Sequence, residues 1–267
     1  MSPTPRLFQW CLVLVGLVCL ARPAEAIVIS LWDFDGNNQP GATSASEGNF
    51  AVDSGGFGLG PYQGLQGGVL ETIGGSTPGT IESNLGLGNR RIRRIYRDHV
   101  FNPGFSTSRA NQVDRGSAFQ VTFTALAGDV LEFEWNMLTN ELDPIPPPDN
   151  PPYDPSTYTD FSWYNLAGAD SADGALANAN DGTFTAIAPT SYNFHTGQQT
   201  QQLTLLSGGT YTITVGVNDV ADTNDLYASA LMIDWFRLVR GPEPGTFGTV
   251  AGGLIALSWL SRRRKLS

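Results

Sequence analysis

The stretch AFQVTFTALAGDVLEFEWNM, residues 118–137, decides the fold class. Ala118 to Thr124 alternates apolar and polar side chains, Ala127-Gly128-Asp129 turns the chain, and Val130 to Met137 alternates again. Alternation with a period of two sends successive side chains to opposite faces of a strand. Leu131, Phe133, Trp135 and Met137 therefore share one face, the expected core, while Glu132, Glu134 and Asn136 share the other. Same-face carboxylates on a strand are the ordinary solvated pattern, which outweighs reading Glu132 and Glu134 as a glycosidase pair. Two such strands around a short turn are expected to pair as a hairpin.

The same signals extend outward. Leu203 to Leu206, the Ser207-Gly208-Gly209 turn and Tyr211 to Val217 read as a second hairpin. Ile27 to Phe34, Val69 to Ile73, Thr159 to Leu166, Thr183 to Ile187 and Ala230 to Val239 read as further strands. The last of these puts Leu231, Ile233, Trp235 and Arg237 on one face. Residues 36–68, rich in glycine and poor in apolar anchors, read mostly as loop, and Asp143 to Pro155 as a proline-rich extended loop. Helix signals are few. The expectation is an all-β sandwich of antiparallel strands.

The two ends are not part of that domain. Residues 1–26 read as a secretory signal peptide, with Arg6, an apolar run from Leu7 to Leu20, and Ala24-Glu25-Ala26 at the cleavage site. Cys11 and Cys19 both lie there, so residues 27–241 carry no thiol for disulfides, nucleophilic catalysis or metal ligation. That region holds 9 arginines, no lysine and 23 acidic residues, a net charge of −14. Such a surface repels phosphate backbones, so nucleic acid is not an expected partner. It suits calcium or a neutral or cationic partner better.

At the other end, Pro242-Glu243-Pro244 breaks the last strand and leaves an extended backbone. Thr246 to Leu260 is apolar and, at about 1.5 Å per helical residue, covers roughly 22 Å. Arg262, Arg263, Arg264 and Lys265 follow, a basic end that should stay cytoplasmic. The chain thus divides into a signal peptide (1–26), a β-sandwich domain (27–241) and a C-terminal tail (242–267).

The order of these tail elements, paired with a signal peptide, resembles the PEP-CTERM sorting signal. That resemblance implies an exosortase that recognises and processes the tail, in a bacterium that makes extracellular polysaccharide. It makes the apolar segment a C-terminal transmembrane helix that anchors the precursor transiently in the inner membrane. The working protein would then reside in the cell envelope or extracellular matrix. Six stretches of the body also resemble the jelly-roll domain found in PEP-CTERM proteins. They are Gly116-Ser117-Ala118-Phe119, Ala127-Gly128-Asp129 through Trp135-Asn136, Leu138-Thr139-Asn140-Glu141, Tyr158-Thr159-Asp160-Phe161, Val215-Gly216-Val217-Asn218-Asp219 and Leu231-Met232-Ile233-Asp234. Galactose-binding-like carbohydrate modules are similar in plan. The arginine-rich residues 89–115 have no counterpart in that pattern.

Three groups of residues are candidates for a site. Hard cations take oxygen ligands. Asp33 and Asp35 close the first strand and Asp234 lies in the last, so pairing of those strands would bring their carboxylates together, where jelly-roll modules often hold structural calcium. A second acidic group comprises Asn218, Asp219, Asp222, Asn224 and Asp225, joined by Glu141 and Asp160. Against both stands the turn-forming habit of Asp and Asn. The run Asn89 to Arg97 packs five arginines into eight residues, and Arg91 and Arg94 could meet an anionic polysaccharide, since guanidinium forks fit carboxylate and sulfate. The alternative is internal pairing, with Ile92 and Ile95 as anchors. Trp163 and Tyr164, with Tyr153, Tyr158 and Tyr192, could stack on sugar rings or simply pack. His99 and His195 lack ligand-spaced partners, and Gly56 to Gly60 lacks phosphate-loop spacing. No catalytic set is evident. The sequence points to a non-catalytic structural or adhesive protein, or to a calcium-stabilised carbohydrate-binding module.

Overall fold

The computed structural model describes residues 26–36, 38, 40–54, 59, 66–100, 113–141, 160–179, 184–187, 191–220 and 228–240. Two compact units divide the chain, residues 28–239 and a second made of residues 1–27 with 240–267. Only residues 26, 27 and 240 of the second unit are described, so the expected signal peptide and Pro242-Glu243-Pro244 tail lie outside the described residues. Among those described, no helix is long and apolar enough to cross a membrane. The expected C-terminal transmembrane helix falls in the undescribed tail.

The domain is built from antiparallel strands: β1 (Ile27–Asp33), β2 (Thr43–Glu47), β3 (Asn49–Asp53), β4 (Gly67–Glu71), β5 (Val113–Ala125), β6 (Val130–Thr139), β7 (Phe161–Gly168), β8 (Ala172–Asn178), β9 (Thr185–Ala186), β10 (Phe194–His195), β11 (Gln199–Thr204), β12 (Gly209–Val220) and β13 (Ser229–Arg240). One sheet runs β3-β4-β13-β6-β10-β9, with β1 on β13 and β11 on β6; the other runs β2-β5-β12-β7-β8. The central strands β4-β13-β6-β11 and β5-β12-β7-β8 face each other in the double Greek-key order of a jelly roll. A helical insert, α1 (Pro78–Asn84), α2 (Arg91–Ile95) and a π-helical turn (Tyr96–Val100), separates β4 from β5.

Both expected hairpins are instead arches. β5 pairs with β12 and β2, and β6 with β13, β10 and β11, so the turn at residues 126–129 carries the chain from one sheet to the other. The Asp129 carboxylate fixes that turn by accepting the Leu126 N–H at 2.9 Å. Likewise β11 and β12 lie in different sheets. Each arch lays the apolar faces of its two strands against each other across the sandwich. Leu131, Phe133, Trp135 and Met137 do enter this core, with Phe119, Val121 and Phe123 opposite. Phe50 and Phe119 stack at 4.9 Å between centroids.

Residues 43–53, expected as loop, form two edge strands. Their polar composition fits, because β2 and β3 are mostly exposed. Gly48 joins them with φ +87°, and an added Cβ would lie 2.6 Å from the Gly116 carbonyl oxygen. The last strand also departs from simple alternation. Between Ile233 and Phe236 the β13–β6 register shifts, so a bulge turns Phe236 and Leu238 into the core and sends Trp235 and Arg237 to the outer face.

Candidate functional site

The outer face of the five-stranded sheet changes character along its length. Its rows follow from the register of β5, β12 and β7: Ala118, Gly216 and Trp163, then Gln120, Thr214 and Asn165, then Thr122, Thr212 and Ala167. The first row is apolar and lies under the helical insert. Ile81, Leu85, Ile92, Ile95 and Tyr96 pack there on Ala118, Phe161 and Trp163. The next two rows carry amides and hydroxyls; Thr214 and Asn165 are buried, while Gln120, Thr122 and Thr212 are half-buried.

The insert is latched by its own chemistry. Thr77 caps α1 through its side-chain oxygen, with Pro78 at the first helical position. Glu82 of α1, buried, accepts the N–H of Arg90 at 2.7 Å and of Ile92 at 2.9 Å. One carboxylate thus satisfies two donors at the start of α2, which a helix otherwise leaves unpaired. Arg90 sits in the left-handed region at φ 60° to make this corner.

Between the insert and the two polar rows lies a cleft of about 410 Å³. Its wall is the loop from Leu85 to Asn89 with Arg91 and Arg94; its floor is Gln120, Asn165, Thr212 and Thr214, with Ser171 at the side. Arg91 donates Nε–H to Asn165 Oδ1 at 2.7 Å and pairs with Asp173 at 2.6 Å. Gln120 donates to the Leu85 carbonyl at 2.9 Å and to Thr214 at 3.1 Å, and the Thr122 and Thr212 hydroxyls share a bond of 2.9 Å. The floor is therefore held in place by its own hydrogen bonds. Arg94 is exposed at the cleft wall.

The arginine run is divided between internal pairing and the cleft wall. Ile92 and Ile95 are buried anchors, Arg97 grips Asp98 at 2.7 and 3.1 Å, and Arg91 is internally paired. Arg94 faces the cleft. The aromatic expectation fails at Trp163, whose ring is fully buried beneath the insert with Nε1–H donated to Asn218 Oδ1 at 2.8 Å. An added Cβ at Gly216 would lie 2.6 Å from that ring, so glycine there makes room for it. Tyr164 packs on the inter-sheet core against Phe133 and does not line the cleft. Tyr192 is buried and donates to Glu71 at 3.0 Å. Tyr153 and Tyr158 lie outside the described residues.

The acidic candidates separate. Among the described residues no group of three or more His, Cys, Asp or Glu side chains is arranged to hold a metal ion. Asp33 is half-buried, Asp35 exposed and Asp234 buried at the β13 bulge; they form no ligand set of three. Asp222, Asn224 and Asp225 lie outside the described residues. Asp219, in contrast, sits with Glu141 and Asp160 where β6, β7 and β12 end, and all three are buried. Asp160 accepts the Val220 N–H at 3.0 Å on Oδ1, while no hydrogen bond reaches Oδ2. Burial, with the Glu141 and Asp219 carboxylates beside it, pushes the Asp160 carboxyl well above the usual range; Ser229 and the Val220 amide oppose this without reversing it. Arg115 approaches Asp219 at 3.8 Å. These three carboxylates are not arranged as a metal-holding group.

Glu132 and Glu134 are not the solvated pair expected. Both are buried on the outer face. Glu132 takes Arg237 at 2.7 Å and Gln202 at 2.5 Å, and Glu134 takes Gln198. The bulge makes this possible by placing Arg237 on their face, its guanidinium 4.0 Å over the Trp235 ring. Burial raises the Glu134 carboxyl above its ordinary value, partly offset by Trp235 and Arg237. His99 lies 3.1 Å from Asp173. Burial lowers the His195 imidazole, which contacts Asn136 at 3.4 Å.

Sequence reasoning missed Gln120, Asn165, Thr212, Thr214 and Glu82. The threonine alternation in Thr210 to Thr214 was a readable sign of a polar outer face.

These features define an antiparallel β-sandwich of jelly-roll order with a polar, arginine-walled cleft beneath a helical insert. No family model and no curated protein matches the chain. Among solved structures, TmCBM61 in complex with beta-1,4-galactotriose is similar at 10% identity and TM-score 0.35, over 82% of this chain and 99% of that one. The K1 cleaved adhesin domain of Lys-gingipain from Porphyromonas gingivalis W83 is similar at 10% identity and TM-score 0.32, over 82% and 99%. The enzymatically active domain of tailspike protein 4 from bacteriophage CBA120 follows at 10% identity and TM-score 0.33, over 79% of this chain and 21% of that one. Likeness this distant bears on neither ligand nor activity.

Proposed function

We propose that this chain is an exported, non-catalytic protein of the cell envelope or extracellular matrix, sorted by an exosortase through its tail, whose domain adheres to extracellular polysaccharide through the cleft. The cleft carries the reading. Its volume of about 410 Å³ falls within the ~300–1,000 Å³ of small-ligand sites. Its lining presents the Gln120 amide and the Thr212 and Ser171 hydroxyls, groups that exchange hydrogen bonds with sugar hydroxyls. A pre-ordered floor lowers the cost of binding, because Gln120 and Asn165 are already held by Leu85, Thr214 and Arg91. The sorting half of the proposal rests on Pro242-Glu243-Pro244, the apolar segment and Arg262 to Lys265.

Calcium is part of the proposal as a stabiliser of the fold, placed beside Asp160. The buried Asp160 Oδ2 without a hydrogen bond supports that placement. The adhesive reading is tested on a glycan panel with the purified domain and a variant, Ala167→Trp, that places a bulky ring at an exposed lining position of the cleft. We expect the native domain to retain extracellular polysaccharides and the variant to lose them. Equal retention by both would place the binding surface elsewhere and refute the cleft.

A further inference from the structure

Resting on that reading of the cleft, we infer that its ligand is an acidic saccharide, with Arg94 holding the sugar's oxyanion and the polar floor holding its hydroxyls. The argument begins with charge. Residues 27–241 carry 23 acidic side chains and only 9 arginines, yet among the described residues the cleft is lined by two arginines and no carboxylate, Asp173 lying behind Arg91. In so acidic a chain, a concave site of opposite sign concentrates anions against the field of the rest of the surface.

The two arginines divide the work. Arg91 is committed, with Asn165 at 2.7 Å and Asp173 at 2.6 Å, and so serves as a wall that positions the Asn165 amide. Arg94 is exposed on the same short helix; Asp98, the acidic residue nearest it along the chain, attracts it but is hydrogen-bonded by Arg97 at 2.7 Å. A guanidinium in that state presents parallel N–H donors in the geometry of a carboxylate or sulfate. Two observations fix the helix that carries it: Ile92 and Ile95 are fully buried, and Glu82 latches its start. Among the described residues the cleft lining has no aromatic side chain, so a neutral sugar finds no stacking platform there of the kind that ring recognition usually exploits. The affinity must come from hydrogen bonds and charge.

The test is calorimetric titration of the domain with three probes of matched length: a neutral galactose oligomer, its galacturonate counterpart and a sulfated galactose oligomer. The acidic probes should bind roughly ten- to hundredfold more tightly than the neutral one, the range of a charge-assisted fork. Arg94→Gln should remove that preference, bringing the acidic probes to within about twofold of the neutral one, and Arg94→Lys should restore only part of it. The difference between uronate and sulfate identifies which oxyanion is preferred. Equal affinity for neutral and acidic probes, or an acid preference that survives Arg94→Gln, overturns the inference and leaves the saccharide reading intact. Failure of all three probes to bind overturns both.

Discussion

Glu82 offers the sharpest link between stability and site. Its buried carboxylate accepts two backbone N–H groups, at 2.7 and 2.9 Å, and so holds the start of the helix that carries Arg91 and Arg94. Hydrogen bonds to a charged group contribute about 1.5–3 kcal/mol each, and a buried donor left unpaired costs a comparable amount. The Ile92 amide is buried, while Arg90 is exposed and water can take over its donor. Glu82→Ala should therefore destabilise by about 3 kcal/mol. For a domain of this size each kcal/mol shifts the melting midpoint by roughly 2–4 °C, so the expected drop is about 6–12 °C. Glu82→Gln keeps one strong acceptor and should lose roughly half as much. Calorimetric melting measures both. Glycan affinity measured well below the transition should fall with Glu82→Ala, since the cleft wall loosens. A melting midpoint within about 1 °C of the native protein, with affinity unchanged, would refute the latch.

Other consequences follow from the acidic end and the tail. Asp160 has its carboxyl raised in the folded state, so the fold binds more protons than the unfolded chain above about pH 4 and stability falls as pH rises through the folded value. In chelator at pH 8, Asp160→Asn should melt higher than the native protein, because the amide oxygen still accepts the Val220 N–H without the buried charge; a lower midpoint would contradict this. Saturating calcium should reverse that order by stabilising only the native protein, and an unchanged native midpoint with calcium or chelator would remove the ion. Mass spectrometry of the secreted protein should find a C-terminus near Pro242, and material retaining Trp259 would refute processing there.

Much of this was legible from residues alone, for identifiable reasons. The period-two faces of residues 118–137 located β5, β6 and four core side chains correctly, because burial on one face is imposed on each strand separately. Pairing was not legible. An arch and a hairpin both present two alternating strands around a short turn, and only the partners across the chain, β12 and β13, distinguish them. The β13 bulge escaped for a related reason: one extra residue inverts the inside and outside assignment for Trp235 and Arg237. Residues 43–53 looked like loop because edge strands bury little and need few apolar anchors. At the site, the arginine run was visible and its duality was weighed, but its division between Arg91 and Arg94 depends on Asn165 and Asp173, over 70 positions along the chain. Trp163 was misjudged because an aromatic on an outer face reads as exposed until the insert that covers it is known.

The central claim is that the cleft under the helical insert receives a saccharide. A crystal structure of the domain soaked with an oligosaccharide that it binds in solution tests this most directly. The account predicts sugar density between the 85–94 segment and the row of Gln120, Thr214 and Asn165, with the anionic group on Arg94 and Arg91 still on Asp173. Density on another surface, with this cleft holding only water, would contradict it.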